Sequence, residues 1–188
     1  MKKPMIAVAL TIFAVTSANA QAALTPANAA ARANVAPRAL DDPTIVAIFD
    51  AANTWDIETS ELAVKKSKNK DVTMFADMMI KDHTAVRKLG RDLAAKLKVT
   101  PTPPGKDFAL YIDHTDIMKK LNSTTGAEFD KAYIDHEVTY HQAVIDAVTK
   151  TLLPATQNAE VKDLETKVAP NFVAHLAAAK AAQTKIDK

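Results

Sequence analysis

The chain has no cysteine. That excludes disulfides, thiolate metal ligands, a cysteine nucleophile and a lipidated N-terminal cysteine. Its three glycines, Gly90, Gly105 and Gly126, stand far apart, so neither a dinucleotide-binding G-x-G-x-x-G nor a Walker loop can be built. Aromatic residues make up only 5% of the sequence, and the core must come mainly from Ala, Val, Leu, Ile and Met. Neither sign of charge dominates: 24 Lys+Arg stand against 22 Asp+Glu over 188 residues. A chain this balanced, with no extended basic stripe, is not built for nucleic acid. Ser60, Ser67 and Ser123 lie in no nucleophile-elbow context, so no catalytic residue is indicated. Scarce glycine with abundant Ala, Lys, Asp and Leu points to an all-α protein.

Residues 1–20 have the grammar of a secretory signal peptide. Lys2 and Lys3 form a positive start, Met5 to Val15 is an apolar stretch too short to span a bilayer, and Ala18-Asn19-Ala20 is an A-x-A cleavage site. Cleavage would place the mature start at Gln21, leave 22 charges of each sign, and deliver the protein to the periplasm or the exterior. No later apolar run reaches spanning length. Residues 21–40 are rich in Ala, Asn and Pro without apolar periodicity and read as a flexible leader. The remaining 41–186 carry the folded domain.

Four long periodic segments follow. Asp41-Asp42-Pro43 is a helix start, and Ile45, Ile48, Phe49, Ala52, Trp55, Thr59, Leu62 and Ala63 recur at 3–4 spacing over about 43–67. Asn69-Lys70-Asp71 breaks the chain, with Asp71 as the expected cap of a helix over 72–98 whose face is Val72, Phe75, Met79, Val86, Leu93 and Leu97. Pro101 to Gly105 stops it, and a short helix is expected over 106–121. A third long helix, 127–153, turns Phe129, Tyr133, Val138, His141, Val144, Ile145, Val148 and Leu152 inward and ends at Pro154. A fourth, 158–186, does so with Val161, Leu164, Val168, Phe172, His175, Leu176, Ala179 and Ala182, with Pro170 on the opposite side. Four such helices make a four-helix bundle. Its short first and last links give antiparallel hairpins. The long middle link, with its extra helix, either crosses the bundle end or runs lengthwise, as in ferritin-like folds.

Helical phase at 100° per residue sorts the polar residues. His83, His141 and His175 fall on or near the inward faces of three different helices, all in the middle third of their length. Glu58, at the boundary of the first helix, lies at the same height. Imidazole with carboxylate suits Zn, Fe, Mn or Cu. The expected metal set is therefore Glu58, His83, His141 and His175, with Asp82, Asp130, Tyr133 and Glu137 behind it. The plainer alternative is a set of neutral histidines hydrogen-bonded within the core. His136 points away from His141 and is expected to be exposed. The E-x-x-H pair of di-iron bundles is missing, because Ile80, Val138 and Phe172 stand three residues before the histidines. Met74, Met78 and Met79 near His83 raise a Cu(I) possibility against ordinary core filling. Trp55 and Tyr140 read as core and boundary aromatics. The basic run Lys65 to Lys70 suits a helix C-terminus.

The segments DIETSELAVKKSKNKDV, MFADMMIKDHTAVRKL, FDKAYIDHEVTYHQAVI and VAPNFVAHLAAA resemble the family catalogued as domain of unknown function 4142, over about 43–183. These are exported bacterial proteins, often labelled only as predicted outer-membrane proteins. The resemblance rests on the D-H of the second helix, the F-D-x-x-Y followed by His on the third, and the P-x-x-x-x-H of the fourth. It implies a ferritin-like antiparallel four-helix bundle and a recurring polar set at Glu58, His83, Tyr133, His141 and His175. It implies no activity. Two functions fit: metal handling or stress protection by an ion inside the bundle, or a metal-free helical module whose partner is a second copy of itself or an envelope protein.

Overall fold

The computed structural model describes residues 40–102 and 109–187. The signal-peptide reading of 1–20, nearly all of the proposed leader, and the expected start of the short helix lie outside the described residues. Among the described residues there are five helices and no strand: α1 (Asp42–Lys66), α2 (Lys70–Leu97), α3 (Ala109–Ser123), α4 (Gly126–Ala147) and α5 (Ala159–Ile186).

The caps explain the boundaries. Asp41 caps α1 by accepting the Thr44 N–H at 2.9 Å, with Pro43 in the first turn. The α2 cap is Asn69, not Asp71: its side chain accepts the Asp71 N–H at 2.9 Å, which lets the helix begin at Lys70. Asn158 caps α5 through the N–H groups of Glu160 and Val161. The third long helix does not run unbroken to Leu153. It widens at Val148–Leu152 into a π turn, in which Leu153 N–H reaches back to Val148 O, and closes with Leu153–Ala155. Pro154 has no N–H to give an ordinary turn, and widening accommodates it. α5, by contrast, continues through Pro170, which sits on the exposed side.

Cross-links between helices give the directions. Arg91 on Asp50 pairs α2 antiparallel to α1, and Lys131 on Asp187 pairs α4 antiparallel to α5. Lys96 with Glu160 and Lys185 with Asp71 join opposite ends of α2 and α5. Ser60 with Tyr133, and Tyr140 with the Ala52 carbonyl, set α1 antiparallel to α4. The alternative left open for the middle link is decided by α3. It runs lengthwise beside α1, with Tyr111 and His114 on Trp55 and Leu121 O accepting from Lys66. α2 and α4 consequently run the same way. Trp55 is half-buried beneath α3 rather than in the interior stripe. Lys66, from the basic run, donates to the carbonyls of Leu121 and Asn122 at the α3 C-terminus.

The interior has three levels. Near the α1 N-terminus an apolar cluster gathers Ile45, Phe49, Val86, Val144, Val148, Val161, Val168 and Phe172. Near its C-terminus another gathers Ala63, Val72, Phe75, Met79, Leu121, Phe129, Ile134 and Ala179. Between them lies a buried polar level: Asn53, Asp56, Thr59 and Ser60 from α1, His83 from α2, Glu137 and His141 from α4, and His175 from α5. No helix among the described residues is long and apolar enough to cross a membrane.

Candidate metal centre

Three of the predicted residues do meet. The rings of His83, His141 and His175 lie 5.0–5.5 Å apart, centre to centre, and all three side chains are buried. Each offers a nitrogen within 4.8 Å of the others.

The hydrogen bonds behind the rings fix which nitrogen that is. Asn53 Nδ2 donates to Phe49 O at 2.7 Å, which orients the amide. Asn53 Oδ1 therefore faces His83 Nδ1, 2.9 Å away, and must accept from it. A neutral His83 then carries a bare lone pair on Nε2. His141 Nδ1 lies 3.0 Å from the Glu137 backbone carbonyl, which can only accept, so His141 Nε2 is also bare. His175 gives its Nε2 hydrogen to Asp82 Oδ2 at 3.1 Å, and its Nδ1 is buried without a partner. Three outward nitrogens are satisfied by acceptors, and three inward ones are left as lone pairs. His83 Nε2 and His141 Nε2 face each other at 3.4 Å with no hydrogen between them.

A carboxylate joins them. Asp56 Oδ2 lies 3.5 Å from His83 Nε2 and 3.6 Å from His141 Nε2, fully buried, and neither of its oxygens has a hydrogen-bond partner. Burial pushes its pKa up to about 8. Glu137, also wholly buried, accepts from Thr59 Oγ1 at 3.3 Å, while its second oxygen is unpartnered and 3.4 Å from His141 Nδ1. Burial, reinforced by Asp56, raises its pKa well above the carboxyl range. His83 is driven well below its ordinary value by burial and by the two neighbouring histidines. His141 is held down at about 4, mainly by burial. His83 and His141 are therefore neutral at neutral pH, as metal ligands must be. The centre is thus an assembly of acceptors with too few donors, a composition that suits a cation. Asp56, Glu137 and His141 form a second such group beside the first.

Not every expected residue is here. Glu58 is exposed, and its carboxylate pairs with His114 Nε2 at 2.9 Å on the α3 side. The interior carboxylate on α1 is Asp56, about 200° away in helical phase. Asp82 pairs with His175 across to α5, and Glu137 lies beside His141. Tyr133 is buried one level away, with its hydroxyl 2.8 Å from Ser60 Oγ. Asp130 is buried with one unpartnered oxygen but outside both groups. His136 is half-buried rather than exposed, its ring tilted on Tyr140 with centres 5.3 Å apart, because α4 turns that flank towards α3. Of the methionines, Met79 belongs to the apolar core, Met74 is exposed and Met78 is half-buried, so they do not converge on His83.

A family model described as a domain of unknown function, DUF4142, matches residues 24–182. The chain belongs to that family. Comparison with curated proteins gave no match, and neither did comparison with solved structures. The DUF4142 match covers α1, α2 and α4 in full and α5 as far as Ala182, and so takes in every residue of the polar level.

Proposed function

We propose that this DUF4142 protein is a ferritin-like four-helix bundle that holds a divalent transition-metal ion on His83, His141, His175 and Asp56. The observation that carries the reading is the tautomer pattern. Asn53, the Glu137 carbonyl and Asp82 each take the hydrogen of one imidazole nitrogen and leave the other bare and facing inward. This is how outer partners orient metal-binding histidines. Three imidazoles and one carboxylate suit Zn, Fe, Mn or Cu. The helix directions, with α3 running lengthwise, support the ferritin-like assignment. The leader read from residues 1–20 supports export, and N-terminal sequencing of the mature protein should find Gln21 first. Metal handling or stress protection outside the cytoplasm is the role that fits.

A metal-free reading also has support: Asp56 Oδ2 lies 3.5 and 3.6 Å from two bare nitrogens, and burial, which pushes its pKa up to about 8, favours a protonated carboxyl that donates to one of them. The polar level would then be a closed network in a non-catalytic module of the envelope. Elemental analysis of protein purified without tag or chelator separates the two. The metal reading expects close to one ion per chain, abolished in His83→Ala, His141→Ala and His175→Ala. Absence of metal, with a melting temperature indifferent to added Zn or Fe, would overturn it.

A further inference from the structure

The proposed ion sits behind buried side chains, so it needs a way in. Three grooves border the polar level or the residues around it. The one beside His83 is walled by Ile48, Val144, Leu152 and Phe172 and is almost wholly apolar. The one between α4 and α5 is lined by Ile145, Val148, Pro170 and Val173, with no charged group. A bare or hydrated cation loses too much solvation to use either. The third, between α2 and α5, has a volume of about 480 Å³ and is lined in part by Asp82, Lys167, Asn171 and His175. His175 is thus both a groove residue and a member of the histidine cluster.

We infer that this α2–α5 groove is the port by which a divalent cation reaches the centre, with Asp82 as the capturing carboxylate and His175 as the gate. The inference rests on the metal reading above. Asp82 is placed for the task. Its side chain is 39% exposed, while the His175 side chain it holds is 5% exposed. One end of the His175 ring therefore touches a solvent-facing carboxylate at 3.1 Å, and the other end, Nδ1, is buried and unpartnered. A cation bound at Asp82 displaces the Nε2 hydrogen bond and frees the ring to turn. The ion moves past it, and Asp82 then recaptures Nε2–H and locks the ring. Met78, one turn before Asp82, adds a thioether to the same wall, which favours softer ions. Lys167 on the opposite wall is, among the described residues, the cation that lines the groove, and it opposes the approach.

Stopped-flow uptake of Co²⁺, followed by its visible absorption in the intact protein, tests this. Asp82→Asn should lower kon about ten-fold and flatten its dependence on salt, because the attracting charge is gone. Lys167→Gln, an exposed substitution that leaves the fold intact, should raise kon about two-fold. If Asp82 only positions His175, kon stays unchanged in both variants and the whole effect of Asp82→Asn appears in koff. That result overturns the port and leaves the metal reading standing. Wild-type protein that takes up no Co²⁺, Zn²⁺, Mn²⁺ or Fe²⁺ overturns both.

Discussion

Asp56 and Glu58 are two residues apart on α1 and occupy opposite environments. Glu58 meets water and His114, while Asp56 is buried beside two bare imidazole nitrogens, with the Ser60 hydroxyl near it. If the ion is held as proposed, the two carboxylates separate cleanly in a titration. Asp56→Asn should weaken Zn²⁺ binding by more than about 100-fold, since a ligand charge is lost outright, and Glu58→Gln should leave it unchanged. Equal loss in both, measured by calorimetry, would refute the assignment of Asp56. Asn53 gives a subtler test. It touches no ligand position but fixes the His83 tautomer. Asn53→Ala should cost about 10- to 100-fold in affinity, as outer partners of metal histidines do. Asn53→Asp, which still accepts from Nδ1, should recover most of it.

At the scale of the helix, the periodicity that revealed the fold also concealed Asp56. Along α1 the buried positions run Ile45, Phe49, Asn53, Asp56, Ser60, Ala63, a regular 3–4 stripe whose middle is polar. A reading that follows apolar residues drifts off this line at Asn53, towards Ala52 and Trp55, and so brings Glu58 near the interior. On α2 the buried line carries His83 alone among polar residues, and on α5 His175 stands well apart from the buried Glu165, so both histidines were legible against apolar neighbours. The lengthwise course of α3 was not legible, because it depends on contacts between segments far apart in sequence. The spacing between helices makes its own prediction. A Cβ added at Gly90 would lie 2.9 Å from Phe49 Cδ1 and 3.0 Å from Cε1. Alanine would improve α2 propensity by about 1 kcal/mol, but overpacking a buried ring costs about 1–3 kcal/mol. Gly90→Ala should therefore lower stability in urea melts. Phe49→Leu, which removes the clashing edge, should make the Gly90→Ala change neutral or favourable in the double variant, a non-additivity expected of contacting residues.

For the molecule as a whole, a polar level between two apolar ones ties stability to pH and to metal together. Consider the protein stripped of metal. Asp56 and Glu137 have raised pKa values in the folded state, Asp56 about 8 against an ordinary 3.8. The folded chain then binds more protons than the unfolded one, and the stability these groups contribute is present at low pH and is lost as pH rises towards 8. The histidines work the other way. His136 and His141, both near 4 when folded, and His83, also lowered, destabilise the fold as pH falls below the ordinary 6.5. Between about 4 and 6.5 the two contributions oppose each other. Between 6.5 and 8 only the carboxyls remain, so the stability of the metal-free protein should fall. One excess proton corresponds to about 1.4 kcal/mol per pH unit, which over this window amounts to a drop of several degrees in melting temperature. A saturating metal ion on Asp56 reduces that fall, because the carboxylate is then already ionised in the folded state and the proton excess at that residue is gone. Melting curves from pH 6.5 to 8 should slope downward with chelator and clearly less steeply with excess Zn²⁺, because only Glu137 then keeps its proton excess. The same downward slope under both conditions would mean that Asp56 keeps its proton, and that the acceptors of the polar level are satisfied by hydrogen bonds alone.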